Sequence, residues 1–202
     1  PLAPNEFNLA PFDKLTVLNL SRCGTGEGAG SFPTPAISTT VETLRLNKNS
    51  YSLLDEATLP TGNSLKIINL EENKSLVTTP DSPPVHKFYV NGTYSNDLEE
   101  MDVGTTKLGI PNLSGKTNLK NFYGDNMKYD ENTPPNSPGE GEFNDERFQL
   151  APNQISKFAN CTALQSITLN GSDVHGPIPS FATNTALTDV DLSNTNLINW
   201  GY

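Results

Sequence analysis

The sequence predicts a β-rich solenoid: a right-handed coil with a parallel β-sheet along its concave face and mostly irregular or 3-10 segments on the convex side. Three observations predict it. One spacing of apolar residues, two residues apart and then one, recurs along the whole chain. The segments between copies are rich in Pro, Gly and Thr, as in Ser31-Phe32-Pro33-Thr34-Pro35, which suits irregular connections better than helices. The copies also follow one another at intervals that stacked coils require, roughly 20 to 29 residues.

The copies are read as follows. Leu15, Leu18, Leu20 and Cys23 fit L-x-x-L-x-L-x-x-N/C, as do Val41, Leu44, Leu46, Asn49 and Leu65, Ile68, Leu70, Asn73. Leu164, Ile167, Leu169, Ser172 and Leu187, Val190, Leu192, Thr195 fit near the C-terminus. Looser copies are Val85, Phe88, Val90, Thr93; Leu98, Met101, Val103, Thr106; and Leu119, Phe122 with Gly124 in the third slot. A degenerate one runs from Asp145 through Phe148 and Leu150 to Asn153. The starts at 15, 41, 65 and 85 are 26, 24 and 20 positions apart, and those at 119, 145, 164 and 187 are 26, 19 and 23 apart. The step from Val85 to Leu98 is only 13, so one of those two copies is irregular.

The pattern has a direct physical basis. Each short strand turns alternate side chains inward, and a single coil cannot bury its own apolar edge, so successive coils stack. The ninth position lies where the chain turns away, and an Asn or Cys there satisfies backbone groups left open by the bend. A β-sandwich would alternate strictly, which this spacing does not. The whole chain, residues 1–202, is read as one domain of about eight or nine irregular coils, and as a mature product or a fragment of a larger assembly.

These copies resemble the leucine-rich-repeat family over about residues 12–198. Phe158-Ala159-Asn160-Cys161-Thr162-Ala163-Leu164 resembles the family's convex-side approach to a strand. Gly176-Pro177-Ile178-Pro179 resembles the G-x-I-P element of its plant-type subclass. Paired-cysteine caps are missing, and the repeat length wanders. The Asn/Thr/Ser/Gly-rich composition is also reminiscent of bacteriophage and bacterial surface proteins.

Composition narrows the function classes. The net charge of −10 argues against nucleic acid and against an anionic membrane surface. No stretch approaches the roughly 18 apolar residues of a membrane span. Two cysteines make no disulfide framework; Cys23 is expected inside, Cys161 on the convex side, both as free thiols. The six N-x-[ST] sequons at Asn19, Asn73, Asn91, Asn112, Asn160 and Asn170 reflect an Asn-rich composition.

Two segments imitate chemistry. Residues 23–30 read CGTGEGAG after a strand, like a phosphate-binding glycine loop, but Phe32-Pro33-Thr34-Pro35 blocks the helix such a site needs. Residues 124–146 form an acidic Pro/Gly-rich insert. Its Asp125, Asp130, Glu131, Glu140, Glu142 and Asp145 carry oxygen ligands suited to calcium, yet their spacing matches no calcium loop, and a solvated loop is expected. His86 and His175 fall in different repeats with no metal-ligand spacing. No cofactor, no metal site and no enzyme activity are expected.

Binding is therefore expected on the concave face. The outward row holds Asn19, Arg45, Asn69, Tyr89, Asp102, Tyr123, Thr168 and Asp191; the neighbouring row holds Val17, Thr43, Ile67, Lys87, Glu100, Asn121, Ser166 and Asp189. Tyr and Arg are frequent anchors at recognition surfaces. The expected ligand-binding set is Arg45, Lys87, Tyr89, Asp102, Asn121, Tyr123, Thr168 and Asp191. The expected role is a non-enzymatic module that recognises a protein or glycan in surface attachment, exposed outside a cell or on a particle. The alternative is a structural domain of a virion or other large particle (tail fibre, baseplate or capsid-associated) that contacts neighbouring subunits.

Overall fold

The middle three residues of most copies form a strand. The computed structural model describes residues 12–23, 40–54, 64–78, 94–128, 148–151 and 156–198. Its strands are β1 (Val17–Asn19), β2 (Thr43–Arg45), β3 (Leu53–Leu54), β4 (Ile67–Asn69), β5 (Val77–Thr78), β6 (Glu100–Asp102), β7 (Asn121–Tyr123), β8 (Ser166–Thr168), β9 (His175–Pro177), β10 (Asp189–Asp191) and β11 (Asn196–Ile198). One seven-stranded sheet runs β1-β2-β4-β6-β7-β8-β10, and β9 with β11 and β3 with β5 make two small sheets. All these pairs are parallel. The protein is a parallel β-solenoid, and no α-helix appears among the described residues.

The register makes the repeat physical. Leu18, Leu44, Ile68, Met101, Phe122, Ile167 and Val190 face one another across successive strands. From Leu44 to Ile167 all are fully buried. Each such aliphatic or aromatic side chain stabilises by roughly 1.5–3 kcal/mol when removed from water. Phe122 also meets Phe158, from the convex side, edge to face at 5.1 Å and 63°. At the last coil the column ends in the open: Val190 is 41% exposed.

Carbonyls near the turn are closed by the ninth position. Asn49 Nδ2 donates to the Leu20 and Leu46 carbonyls, and Asn73 Nδ2 to those of Leu46 and Leu70. Thr106 and Thr195 hydroxyls donate to Val103 and Leu192. Each coil then carries one residue in the left-handed region, three places beyond its strand. These are Arg22, Lys48, Glu72, Thr105, Asn126, Gly171 and Asn194, with φ between 54° and 69°. Their N–H groups donate to the next coil, from Arg22 to Asn47 O through to Gly171 to Ser193 O. On the convex side Lys116, Cys161 and Asn184, all buried, each donate to a carbonyl of the preceding coil, at Tyr94, Leu113 and Phe158. Burial holds the Lys116 amine below its usual range.

Several expectations change. The copy at Asp145, Phe148 and Leu150 supplies no strand to the main sheet, because β7 pairs directly with β8. Phe148 and Leu150 are buried, but Gln149 bridges to His175 beside β9 instead. The sheet likewise passes from β4 to β6, 33 positions from Leu65 to Leu98, which makes Leu98 the regular copy. The copy at Val85 lies outside the described residues, as do the glycine segment 24–30 and residues 129–146 of the insert. The insert's first residues, 124–128, pack into the coil, with Met127 fully buried. Cys23 is exposed rather than inside, since its coil is the first of the sheet, while Cys161 is buried; both are free thiols. No helix among the described residues is long and apolar enough to cross a membrane.

Candidate functional site

Alternation along each three-residue strand points two side chains away from the core. The register aligns Asn19, Arg45, Asn69, Asp102, Tyr123, Thr168 and Asp191 in one row and Val17, Thr43, Ile67, Glu100, Asn121, Ser166 and Asp189 in the other. Six of the eight expected residues, Arg45, Asp102, Asn121, Tyr123, Thr168 and Asp191, thus stand on the outward face. Lys87 and Tyr89 lie outside the described residues, and the rows pass directly from Asn69 to Asp102 and from Ile67 to Glu100. Arg45 and Tyr123 are three strand spacings apart, about 14 Å, so they form no single strip.

Part of this row is occupied with local structure. Asn19, Asn69, Asp102 and Asp191 each accept, through Oδ1, the N–H two residues on, at 3.0, 3.1, 3.0 and 2.9 Å. These short side chains close the turn after the strand. The coil of β8 has Thr168 at that position, and there Asp125 of the preceding coil supplies the acceptor. Its Oδ1 takes the Asn170 N–H at 2.7 Å, while Oδ2 takes the Thr168 hydroxyl at 3.2 Å.

The consequence is a local concentration of acid. Glu71, Asp102, Gly104, Thr105, Tyr123, Asp125 and Asn126 line an open pocket of about 400 Å³ where the sheet meets its turns. Burial pushes the Asp102 carboxyl up to about 6; the Gly104 N–H opposes this, and the charges of Glu71, Glu100 and Asp125 add to it. Burial also raises the Tyr123 phenol, helped by Glu100, Asp102 and Asp189. The four ion pairs among the described residues, Lys48–Glu72, Lys66–Glu42, Lys120–Glu99 and Lys128–Asp173, involve none of the pocket carboxylates. No three His, Cys, Asp or Glu among the described residues are grouped to hold a metal ion, so Glu71, Asp102 and Asp125 do not converge on one point.

Sequence reasoning placed Asp102 and Tyr123 on this face but missed Glu71, Gly104, Thr105 and Asn126, and set Asp125 in the insert. Their signal was present: each follows a strand by two or three residues, at the turn that every coil repeats.

No family model matches the sequence, and no curated protein is similar to it. Among solved structures the chain is similar to the leucine-rich-repeat ectodomain of the Arabidopsis receptor kinase HAESA, crystallised with an N-terminally extended IDA peptide hormone ligand. The identity is 19% and the TM-score 0.47, over 93% of this chain and 31% of that one. The chain therefore spans about a third of that ectodomain's length.

Proposed function

We propose that this chain is a non-enzymatic recognition module that binds a polypeptide across the outward face of its sheet, seating a lysine or arginine side chain between Asp102, Asp125 and Tyr123. The observation that carries this reading is the pocket itself, which three carboxylates and an aromatic ring line. Asp102 and Asp125 accept only from neutral donors (Gly104, Asn69, Asn170 and Thr168), and no ion pair among the described residues supplies a cation. A cation there gains both the carboxylates' field and the face of a ring. Carboxylates spread around an open pocket suit an elongated, many-atom cation better than a bare ion. Neutral glycans would leave the charge uncompensated, which favours polypeptide among the ligands expected of such a face. Asn121 and Thr168 border Tyr123 and offer hydrogen bonds to a passing backbone, whereas Arg45 is too distant to share the pocket. A module of this kind belongs where a partner reaches it, exposed on a cell or particle surface.

The test uses twelve-residue Gly/Ser/Tyr peptides carrying two, one or no Arg or Lys, together with neutral oligosaccharides, titrated calorimetrically. Saturable binding that requires the cation and falls at least tenfold in Tyr123→Ala/Asp125→Ala is expected. Equal binding of charged and uncharged peptides, or glycan binding indifferent to the double variant, would sink the reading.

A further inference from the structure

The five interior strands of the main sheet, β2, β4, β6, β7 and β8, each have a neighbouring strand on both sides. Their outward positions, two per strand, carry one cation, Arg45 on β2, and one aliphatic side chain, Ile67 on β4. The acids Glu100 and Asp102 follow on β6, and Tyr123 on β7. Arg45 is exposed, and its guanidinium is in no ion pair among the described residues. Asn69 stands between Arg45 and Asp102 in the same row. It donates from Nδ2 to Asp102 Oδ2 at 3.2 Å and accepts the Glu71 N–H at Oδ1, so both ends of its amide are committed. Strands lie about 4.8 Å apart, which sets the backbones of Arg45 and Asp102 about 10 Å apart and those of Arg45 and Tyr123 about 14 Å apart. The face thus holds its positive and negative charge at separate points, with an apolar side chain between.

That order has a complement among polypeptides. An extended chain advances about 3.3 Å per residue and turns alternate side chains to one side. Residues i, i+2 and i+4 that face the sheet therefore reach from Arg45, past Ile67, to the pocket between β6 and β7, about 13 Å away. Resting on the reading of that pocket as the seat of a lysine or arginine, we infer that the face recognises a segment of the pattern acidic–x–aliphatic–x–basic. The acidic side chain at i pairs with the Arg45 guanidinium, and the aliphatic one at i+2 covers Ile67. The basic one at i+4 enters the pocket at Asp102, Asp125 and Tyr123. Charge complementarity selects this occupant. A segment with cations at both ends would meet Arg45 with like charge, and one with two acids would meet Glu100 and Asp102 in the same way. Opposite charges at two points also fix which end of the segment lies over which coil.

The probe is the acetylated, amidated peptide Ser-Glu-Ser-Leu-Ser-Arg-Ser, made also in reversed order and titrated by calorimetry against the full chain. Three changes are made to the tighter binder: Glu to Gln, Arg to citrulline, and Glu exchanged with the Ser beside Leu so that it faces away from the sheet. Each is run against the wild-type chain and against Arg45→Gln, whose urea midpoint should match wild type because the side chain is exposed. Glu to Gln should weaken binding to wild type about three- to fivefold, the range of an exposed ion pair, and leave binding to Arg45→Gln unchanged. The displaced Glu should lose as much. Equal effects of Glu to Gln on both chains, or none on either, would overturn the inference, and the pocket reading would stand if citrulline still weakens binding. Full affinity for the displaced-Glu peptide would overturn it too, because the acid is then attracted without being placed. Citrulline bound as tightly as Arg would remove the pocket reading and the inference with it, as would the absence of saturable binding in both directions.

Discussion

Asp125 and Asn170, 45 positions apart in sequence, are joined by a 2.7 Å hydrogen bond from the Asn170 N–H to Asp125 Oδ1. In four other coils the strand's own Asn or Asp makes this bond two residues ahead. Thr168 holds that place in its coil, so a neighbour's carboxylate closes the turn. Asp125→Ala should therefore destabilise by about 1.5–3 kcal/mol, the range for a hydrogen bond to a charged group. Asp125→Asn keeps an acceptor and should cost less than half of that. Urea midpoints of the two variants check the ranking; equal losses would mean that charge, not the acceptor, matters.

Ser172 performs a similar repair inside the solenoid. Its coil's predecessor has Met127 at the ninth position, which has no donor for the Gly124 carbonyl. The Ser172 hydroxyl donates to that carbonyl and accepts the Met127 N–H at 3.0 Å. Ser172→Ala strands both groups in a buried site, and a buried unsatisfied group costs about 1–3 kcal/mol. The expected loss is on the order of 3 kcal/mol for the pair, well above that of Thr195→Ala at the half-exposed end. Thermal and urea unfolding of both variants measure the difference; near-equal losses would contradict this assignment.

These two repairs mark where sequence reading stops. The strands were legible because burial imposes a fixed spacing: Leu44, Ile68, Met101, Phe122 and Ile167 all fall where the repeat puts them. The outward positions of Asp102 and Tyr123 followed from alternation alone. Asp125 did not, because it looks acidic and loop-like within GDNMKYDE, and only its contact across coils shows its role. The copy at Phe148 misled for the opposite reason. Its apolar residues are buried as a strand's would be, yet they cover the core beside β9. Periodicity reports which residues are inside, not which wall they line.

Thr105 offers a stabilising substitution. It occupies the left-handed position of its coil with φ 54°, where the other coils use Arg, Lys, Glu, Asn or Gly. A β-branched side chain is strained in that region. Its backbone duty, donating to Asp125 O at 2.7 Å, needs no side chain. Thr105→Asn should stabilise by about 1 kcal/mol, as strain relief at such positions permits. A raised urea midpoint with an unchanged slope is the expected result, and a lowered midpoint would show that the Thr105 side chain contributes more than its strain costs.

Asp102 gives stability a pH dependence of defined sign. Its carboxyl titrates at about 6 in the folded chain against 3.8 for the ordinary side chain. Between those values the folded state keeps a proton that the unfolded state has lost. The contribution of this group is thus fully present below about pH 4 and declines as pH rises through about 6. Asp102→Asn removes the titration while keeping an acceptor for the Gly104 N–H. The wild-type minus variant difference in unfolding free energy, measured from pH 4 to pH 7, should fall with pH by on the order of 1–2 kcal/mol after solvent screening. A flat difference would place Asp102 in a more solvated setting than its neighbours impose.

The same carboxyl ties ligand binding to pH in the opposite direction. A lysine or arginine seated beside Asp102 stabilises the ionised form, so binding expels the proton that the free pocket holds below about pH 6. Affinity for the Arg-containing peptide should therefore rise between pH 5 and pH 7, levelling above the carboxyl's own titration. If binding shifts Asp102 down by one unit, affinity changes about tenfold over the whole titration, since one unit equals about 1.4 kcal/mol, and about fivefold of that falls between pH 5 and pH 7. Calorimetry in buffers of different ionisation heat reads the released proton directly at pH 6. In Asp102→Asn both the pH dependence and the proton release should disappear, while the contribution of Asp125 and Tyr123 leaves measurable binding. A wild-type affinity independent of pH, with the cation requirement intact, would move the bound cation away from Asp102 and toward the Asp125 side of the pocket.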